Sequence, residues 1–221
     1  REFNKRGYVI PIKPTSGEIL RRKAERETKG LKGALVLEPE VGLHTTYTIY
    51  LDFKSMYPSI FISYNVCPTT LIKGKSTLPT IKTPDGVEFI SNTVQEGIMP
   101  HIVRELIKER DRVRLQMQKE TKEDQKRLLD AKQLALKYVT NSFYGYTGYV
   151  RARLYSLGIA NAITSCGRFL IQKTKSIIES DSLLRTIYGD TDSVMVKTMI
   201  TDPGKAMELG KDVERKVNEN L

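Results

Sequence analysis

Apolar positions along the chain change their period several times, and each change marks an element. Ile102, Val103, Leu106 and Ile107 recur at helical spacing, and the pattern continues to about Met117. A charged, poorly periodic stretch follows, Glu120-Thr121-Lys122-Glu123-Asp124. Leu128, Leu129, Leu134, Leu136 and Val139 then set up a second helix that reaches the aromatic residues at 143–149. The expected form is two antiparallel helices joined at a short charged tip, with Thr121 capping the second. Shorter runs read as strands. Residues 33–37 enter a turn at Glu38-Pro39-Glu40, and residues 47–53 are β-branched and aromatic.

The remaining segments complete an α+β pattern. Residues 1–30 are basic and polar, with a helical stretch around 18–27, and Pro58 opens a short helix. Residues 73–93 are rich in Gly, Pro, Thr, Ser and Lys. Their Thr83-Pro84-Asp85-Gly86 is a turn, so the segment reads as a polar hairpin or loop. Residues 156–180 form a helix in which Gly158, Ala160, Ala162 and Gly167 allow close packing. Residues 185–197 form two short strands around Gly189-Asp190-Thr191-Asp192, and 204–220 is an amphipathic helix. The fold class is α+β with a helical protrusion.

Composition narrows the partners. The 221 residues are 39% hydrophobic and 28% charged, enough to bury a core in one large domain or a domain with a subdomain. Thirty-six Lys+Arg against 26 Asp+Glu leave +10, which favours a polyanion, nucleic acid before membrane. No run of eighteen apolar residues is present, so a transmembrane helix is excluded. Arg1 stands where an initiator Met would, and no signal-peptide core follows, which leads one to expect an excised or processed piece of something longer. Cys67 and Cys166 are too few for a disulfide scaffold or zinc ribbon and read as reduced core thiols. His44 and His101 cannot build a zinc site. Chemistry must come from carboxylates, amines and hydroxyls.

Three aspartates stand where strands end or turn: Asp52 after Thr48-Ile49-Tyr50-Leu51, and Asp190 and Asp192 on either side of Thr191. Period-two geometry sends Asp190 and Asp192 to one side of an extended segment. Read singly, these are turn residues, and Asp-Thr-Asp is an Asx-rich hairpin turn. Like charges crowded at one strand end repel, however, unless a cation neutralises them, and hard oxygen donors without Cys or His suit Mg²⁺ or Mn²⁺. The helix pair supplies the opposite charge. Arg110 and Arg114 are i, i+4 neighbours, and Lys137, Asn141 and Tyr144 share one face of the second helix. Residues 101–137 hold eleven Lys+Arg and seven Asp+Glu, a net of +4. Such a face is either solvated surface or the phosphate grip that phosphoryl transfer from a nucleoside triphosphate needs.

Three motifs then coincide: Asp52-Phe53-Lys54-Ser55-Met56-Tyr57-Pro58-Ser59-Ile60, Lys137-Tyr138-Val139-Thr140-Asn141-Ser142-Phe143-Tyr144-Gly145, and Tyr188-Gly189-Asp190-Thr191-Asp192-Ser193. In order and separation they resemble the family B (alpha-like) replicative DNA polymerases, nearest in flavour to the archaeal enzymes, from about Gly33 to Leu221. The resemblance implies a palm, an antiparallel sheet backed by helices, with a two-helix fingers protrusion. Residues 1–96, with the polar loop 73–93, and 146–221 would be palm, and 97–145 fingers. Exonuclease, N-terminal and thumb domains would lie outside the chain.

Carried over by residue, the resemblance implies that Asp52 and Asp192 hold two Mg²⁺ ions (Mn²⁺ as a substitute), with Asp190 supporting and the Phe53 carbonyl a further metal ligand. Backbone amides of 53–57, Ser55, Met56 and Tyr57 among them, would touch the triphosphate, and the Tyr57 ring would exclude a 2′-hydroxyl. Arg110, Arg114 and Lys137 would grip the β- and γ-phosphates with help from Asn141. Tyr144, Gly145 and Thr191 would contact the base pair or DNA. Pro58 is expected to hold Tyr57 in extended geometry. Implied partners are primer–template DNA, dNTP, the exonuclease and thumb domains in the parent chain or on a separate one, and a sliding clamp, with no membrane. The setting would be nuclear in a eukaryote and nucleoid-associated in an archaeon.

Departures are local. Leu31-Lys32-Gly33-Ala34 stands where many archaeal members have Tyr-x-Gly-Gly, Met56 where Leu is usual, and Arg114 where Lys is common. Two rival readings remain. A two-metal nuclease would use the aspartates but leave Tyr57, Lys137 and Tyr144 without a task. A catalytically idle, polymerase-derived DNA-binding or scaffold piece would need a thumb-bearing partner.

Overall fold

The amphipathic and strand patterns resolve into seven helices and six strands among the described residues, 2–221, of the computed structural model. In chain order these are α1 (Glu2–Lys5), α2 (Ser16–Lys29), β1 (Val36–Leu37), β2 (Thr48–Asp52), α3 (Met56–Ser63), β3 (Thr80–Lys82), β4 (Glu88–Ile90), α4 (Ile98–Lys119), α5 (Glu123–Gly148), α6 (Leu157–Ile178), β5 (Arg185–Asp190), β6 (Ser193–Lys197) and α7 (Pro203–Asn220). The α+β class is borne out. The chain divides into two units, one made of residues up to Lys32 with Tyr57–Ile163, the other of Gly33–Met56 with Thr164–Leu221.

The second unit is a four-stranded antiparallel sheet in the order β1-β5-β6-β2. Along β2, Ile49 is buried while Thr48, Tyr50 and Asp52 are exposed, the alternation of a strand packed on one face only. That inner face, Ile49, Val194 and Val196, meets Ile171 and Ile178 of α6 and Val213 and Val217 of α7. The helices thus fix the plane of the sheet, and burial of these aliphatic side chains stabilises each by about 1.5–3 kcal/mol. Asp202 caps α7, its carboxylate accepting from the Lys205 N–H at 2.8 Å, one residue before Pro203.

In the first unit, α4 and α5 pair as the periodicity requires, and β3–β4 form the hairpin expected within 73–93. Gly86 takes φ +87°, a left-handed value that a Cβ would oppose. Around them Ile60, Phe61, Val66, Phe89, Ile98, Met99, Val103 and Val113 are buried. Phe61 meets Phe143 of α5 edge to face, centroids 6.3 Å apart. Arg22 of α2 is buried. It donates to the carbonyls of Val150 and Ala152 at 2.9 and 2.8 Å and lies over the Tyr155 ring at 4.9 Å.

Three local expectations are corrected. Thr121 does not cap α5. Lys122 is the capping residue, without a side-chain bond, and the Glu120 carboxylate accepts from the Thr121 and Lys122 amides at 2.9 Å each. The strand at 33–37 shrinks to Val36–Leu37, the two residues that pair with β5. Tyr57 is not extended: it lies in the first turn of α3, with Pro58 directly after it. Proline is tolerated there because the first four helical N–H groups have no intrahelical acceptor, so the missing donor costs nothing.

Candidate active site

One end of the sheet gathers the acidic residues. Asp52 closes β2 opposite Ser193, and Asp190 closes β5 opposite the same Ser193 from the other side. Cross-strand partners share a face, so Asp52 and Asp190 lie on one face, two strand spacings or about 10 Å apart. Asp192 comes closer to Asp52, because its carbonyl accepts the N–H of Phe53 at 2.8 Å. The Phe53 amide is therefore committed within the sheet, and is not available to a triphosphate.

The Asp190–Asp192 segment is not extended, which corrects the period-two reading. Thr191 has φ +57°, and the Asp192 N–H donates to the Asp190 carbonyl at 2.6 Å, closing a γ-turn in its strained, positive-φ form. A β-branched residue is unfavourable there, by roughly 1–3 kcal/mol. Three contacts hold it: the Thr191 N–H donates to the Leu35 carbonyl at 3.0 Å, its hydroxyl to Asp190 Oδ1 at 2.8 Å, and the Ser193 hydroxyl to the Asp190 carbonyl at 3.2 Å. Gly189 permits the close β1–β5 approach. A Cβ there would stand 2.9 Å from Leu37 Cδ1 and 3.0 Å from the Ser193 carbonyl oxygen.

The implied metal ions meet a donor set of carboxylates and backbone carbonyls. No cluster of three or more His, Cys, Asp or Glu suited to a metal exists among the described residues. Hard oxygen donors of this kind fit Mg²⁺. That ion keeps several waters and is typically held by one or two carboxylates together with substrate phosphates. Asp52 and Asp192 would supply such a pair.

The cationic residues belong to the first unit. Arg112 and Lys132 both pair with Glu109, at 2.8 and 2.9 Å, and the Lys132 bond holds the Glu109 carboxyl below its usual range. Arg110, Arg114 and Lys137 have no ion-pair partner among the described residues. Arg110 Nε instead donates to Gln133 Oε1 at 3.3 Å, and the buried Gln133 donates to Asp130 at 2.9 Å. Arg112 and Lys132 thus share one carboxylate, while these three have none. Lys137 and Asn141 are exposed one turn apart on α5, Tyr144 is half-buried on the same face, and Gly145 faces open space.

Ser55 turns the chain from β2 into α3 with φ +57°, and Met56 is buried, so only its backbone can meet a ligand. Tyr57 stacks on Tyr144, centroids 4.6 Å apart. Sequence reasoning had no signal for this pairing across 87 positions. It also passed over Arg22, which looked like one more cation in a basic segment, and Asn65, which is fully buried with φ +53°. An Asn followed by Val-Cys-Pro is the only mark the sequence leaves there. None of the described helices is long and apolar enough to cross a membrane.

Comparison with known proteins bears on all of this. The profile of DNA polymerase family B matches residues 1–221. The chain is 34% identical over 236 residues to the DNA polymerase delta catalytic subunit of Mesocricetus auratus, a match that covers 100% of this chain and 20% of that protein. It is 38% identical over 221 residues to the delta catalytic subunit of Dictyostelium discoideum (94% and 19% covered). To the catalytic subunit of DNA polymerase alpha from Saccharomyces cerevisiae it is 33% identical over 228 residues (99% and 15% covered). The chain thus spans about a fifth of the length of these curated relatives or less. All three are eukaryotic, and none supports the archaeal leaning. With a profile match from end to end and three motifs in the family's order, the chain belongs to DNA polymerase family B.

Proposed function

We propose that this chain carries the nucleotidyl-transfer chemistry of template-directed DNA synthesis, dNTP onto a primer 3′-OH, as the catalytic core of a longer polymerase or of a split one. The observation that carries the reading is the 2.8 Å bond from the Phe53 amide to the Asp192 carbonyl. It sets the ends of two motifs, distant in sequence, side by side with a carboxylate on each. Asp52 and Asp192 would hold the metal ions, with Asp190 supporting from across β6 and the Phe53 carbonyl as an added donor. Mg²⁺ bound there supplies Lewis-acid activation of the attacking oxygen and charge neutralisation at the leaving pyrophosphate.

The other residues bind and orient. The uncompensated charges of Arg110, Arg114 and Lys137 suit β- and γ-phosphates, Arg110 being aimed by Gln133. Asn141 and the backbone of Ser55, Met56 and Tyr57 would complete the triphosphate contacts. The Tyr57 ring would stand where a ribose 2′-hydroxyl would come. Tyr144, Gly145 and Thr191 would meet the nascent pair or the DNA. The sheet would then serve as palm and the α4–α5 pair as fingers. The delta and alpha names of the relatives favour nuclear replication and, as partners, primer–template DNA with the domains that complete the enzyme.

Primer extension with Mg²⁺ tests the reading, run with and without a thumb-bearing chain, for the parent and Asp192→Ala. Extension by the parent and none by the variant is expected. A parent that binds primer–template but never extends it, even when complemented, would leave the idle scaffold as the better account. Cleavage without synthesis would favour the nuclease.

A further inference from the structure

Asn65 occupies a joint to which the proposed chemistry gives no role. It lies just beyond α3, fully buried, with left-handed φ +53°. Its side-chain Nδ2 donates to the carbonyls of Ile90 at 2.8 Å and Gln95 at 2.7 Å, and its Oδ1 accepts from the Gly97 N–H at 2.8 Å. Its own carbonyl accepts from the Thr70 hydroxyl at 2.6 Å. The side-chain amide is thus directed at the end of β4, the segment after it and the start of α4.

Gly97 is the capping residue of α4 and has no side chain to cap it with. Asn65 supplies an acceptor from elsewhere in the chain. The joint is tight: a Cβ on Gly97 would stand 2.9 Å from Cys67 Cβ and 3.1 Å from Asn65 Oδ1. Beside it, Glu96 pairs with His101 at 3.1 Å and Arg104 at 3.2 Å, tying the first turns of α4 to the same root.

We infer that Asn65 is a positioning residue for Arg110 and Arg114, fixing the direction in which α4 leaves its root. The inference rests on the phosphate-binding reading of those arginines. From Ile98 to Arg110 the helix rises about 18 Å, so a tilt of about 5° at the root displaces the guanidinium by about 1.5 Å. A misplacement of about 1 Å can cost a reaction a hundredfold. Only an amide can serve here. Asp would set a carboxylate against two carbonyl oxygens, and an apolar residue would leave two carbonyls and an N–H buried without partners.

The test is single-nucleotide insertion by reconstituted polymerase, measured below the melting temperature of each variant. Asn65→Gly keeps the positive φ and removes only the side chain. Gly97→Ala disturbs the same joint from the other side, and Arg110→Ala is the reference. KM for dNTP should rise about tenfold in the first two, with a smaller fall in kcat and unchanged Kd for primer–template. Hydrogen exchange at amides 97–103 should quicken. Asn65→Gly combined with Arg110→Ala should raise KM by less than the product of the two single effects, the remainder acting through Arg114. If Asn65→Gly and Gly97→Ala lower Tm but leave KM within twofold of the parent, the joint only staples the fold and the inference is overturned. Should Asn65→Gly fail to fold, Gly97→Ala alone decides by the same criterion. An unchanged KM in Arg110→Ala overturns the phosphate reading itself, and this inference with it.

Discussion

Tyr57 and Tyr144 stack with ring centroids 4.6 Å apart and planes inclined by 21°. Tyr57 lies in the first turn of the short helix α3, after the first aspartate, and Tyr144 stands late in α5. Each ring limits the rotamers of the other, and such a pair adds about 0.5–1.5 kcal/mol beyond its buried area. If Tyr57 gates the sugar, as proposed, Tyr144 is what holds the gate rigid.

Replacing Tyr57 with Ala or Val should therefore raise ribonucleotide insertion sharply while sparing deoxynucleotide insertion. A merely apolar pocket rejects an added hydroxyl by roughly a hundredfold, and a fixed ring that clashes with it does better. Tyr144→Ala should loosen the same discrimination to a smaller extent. The measurement is the ratio of kcat/KM for dNTP and rNTP. An active Tyr57 variant with an unchanged ratio places sugar selection elsewhere.

Asp52→Ala and Asp192→Ala should each reduce extension by about a thousandfold or more. Losing a metal-holding carboxylate removes several kcal/mol of transition-state stabilisation, and about 4 kcal/mol is a thousandfold. Asp190→Ala should do less harm, since Asp190 stands two strands from Asp52. Circular dichroism should be unchanged in all three, because the carboxylates are at the end of the sheet and outside its core. A normal rate in either of the first two variants would sink the metal assignment.

Arg110→Ala, Arg114→Ala and Lys137→Ala should each raise KM for dNTP and lower kcat, at roughly 1.5–3 kcal/mol per charge-assisted contact. Arg112→Ala and Lys132→Ala serve as controls, because both side chains are already engaged by Glu109. Equal effects in the two groups would reduce the helix pair to a solvated surface.

Acid stability should depend on Glu18. Its bonds to Arg21 and Arg22 lower the carboxyl from 4.5 to about 2. A depressed folded value means the stabilisation is complete above about pH 4.5 and fades as pH falls towards 2. The Tm advantage of the parent over Glu18→Gln should accordingly be flat above about pH 5 and shrink to nothing near pH 2. A difference independent of pH would show that the pairing does not form in solution.

Much of this architecture was determined by the sequence alone, because the signals are local. The apolar spacing of 102–117 and 128–139 required two helices, Thr83-Pro84-Asp85-Gly86 required a turn, and the three motifs carried the family's signature by themselves. Those motifs also pointed to Asp52, Asp190 and Asp192, since turn-prone carboxylates at strand ends are visible as residue types. Tertiary structure decided what depends on partners far along the chain. The extended reading of Asp190–Asp192 gave way to the turn that the residue types also offered, with Thr191 held at positive φ by its N–H bond to Leu35 and by the Ser193 hydroxyl on the Asp190 carbonyl. Pro58 seemed to forbid a helical Tyr57, but at a helix start the missing N–H has no acceptor to lose, and the ring has Tyr144 to pack on. Which cations stay uncompensated is set by where one glutamate, Glu109, meets Lys132 on the facing helix. Residue type does not set Asn65 apart from other polar residues, whereas burial places three backbone groups around its amide. Periodicity and residue type report what a residue prefers, whereas ion pairs, caps and strained turns are settled by neighbours that only folding brings near.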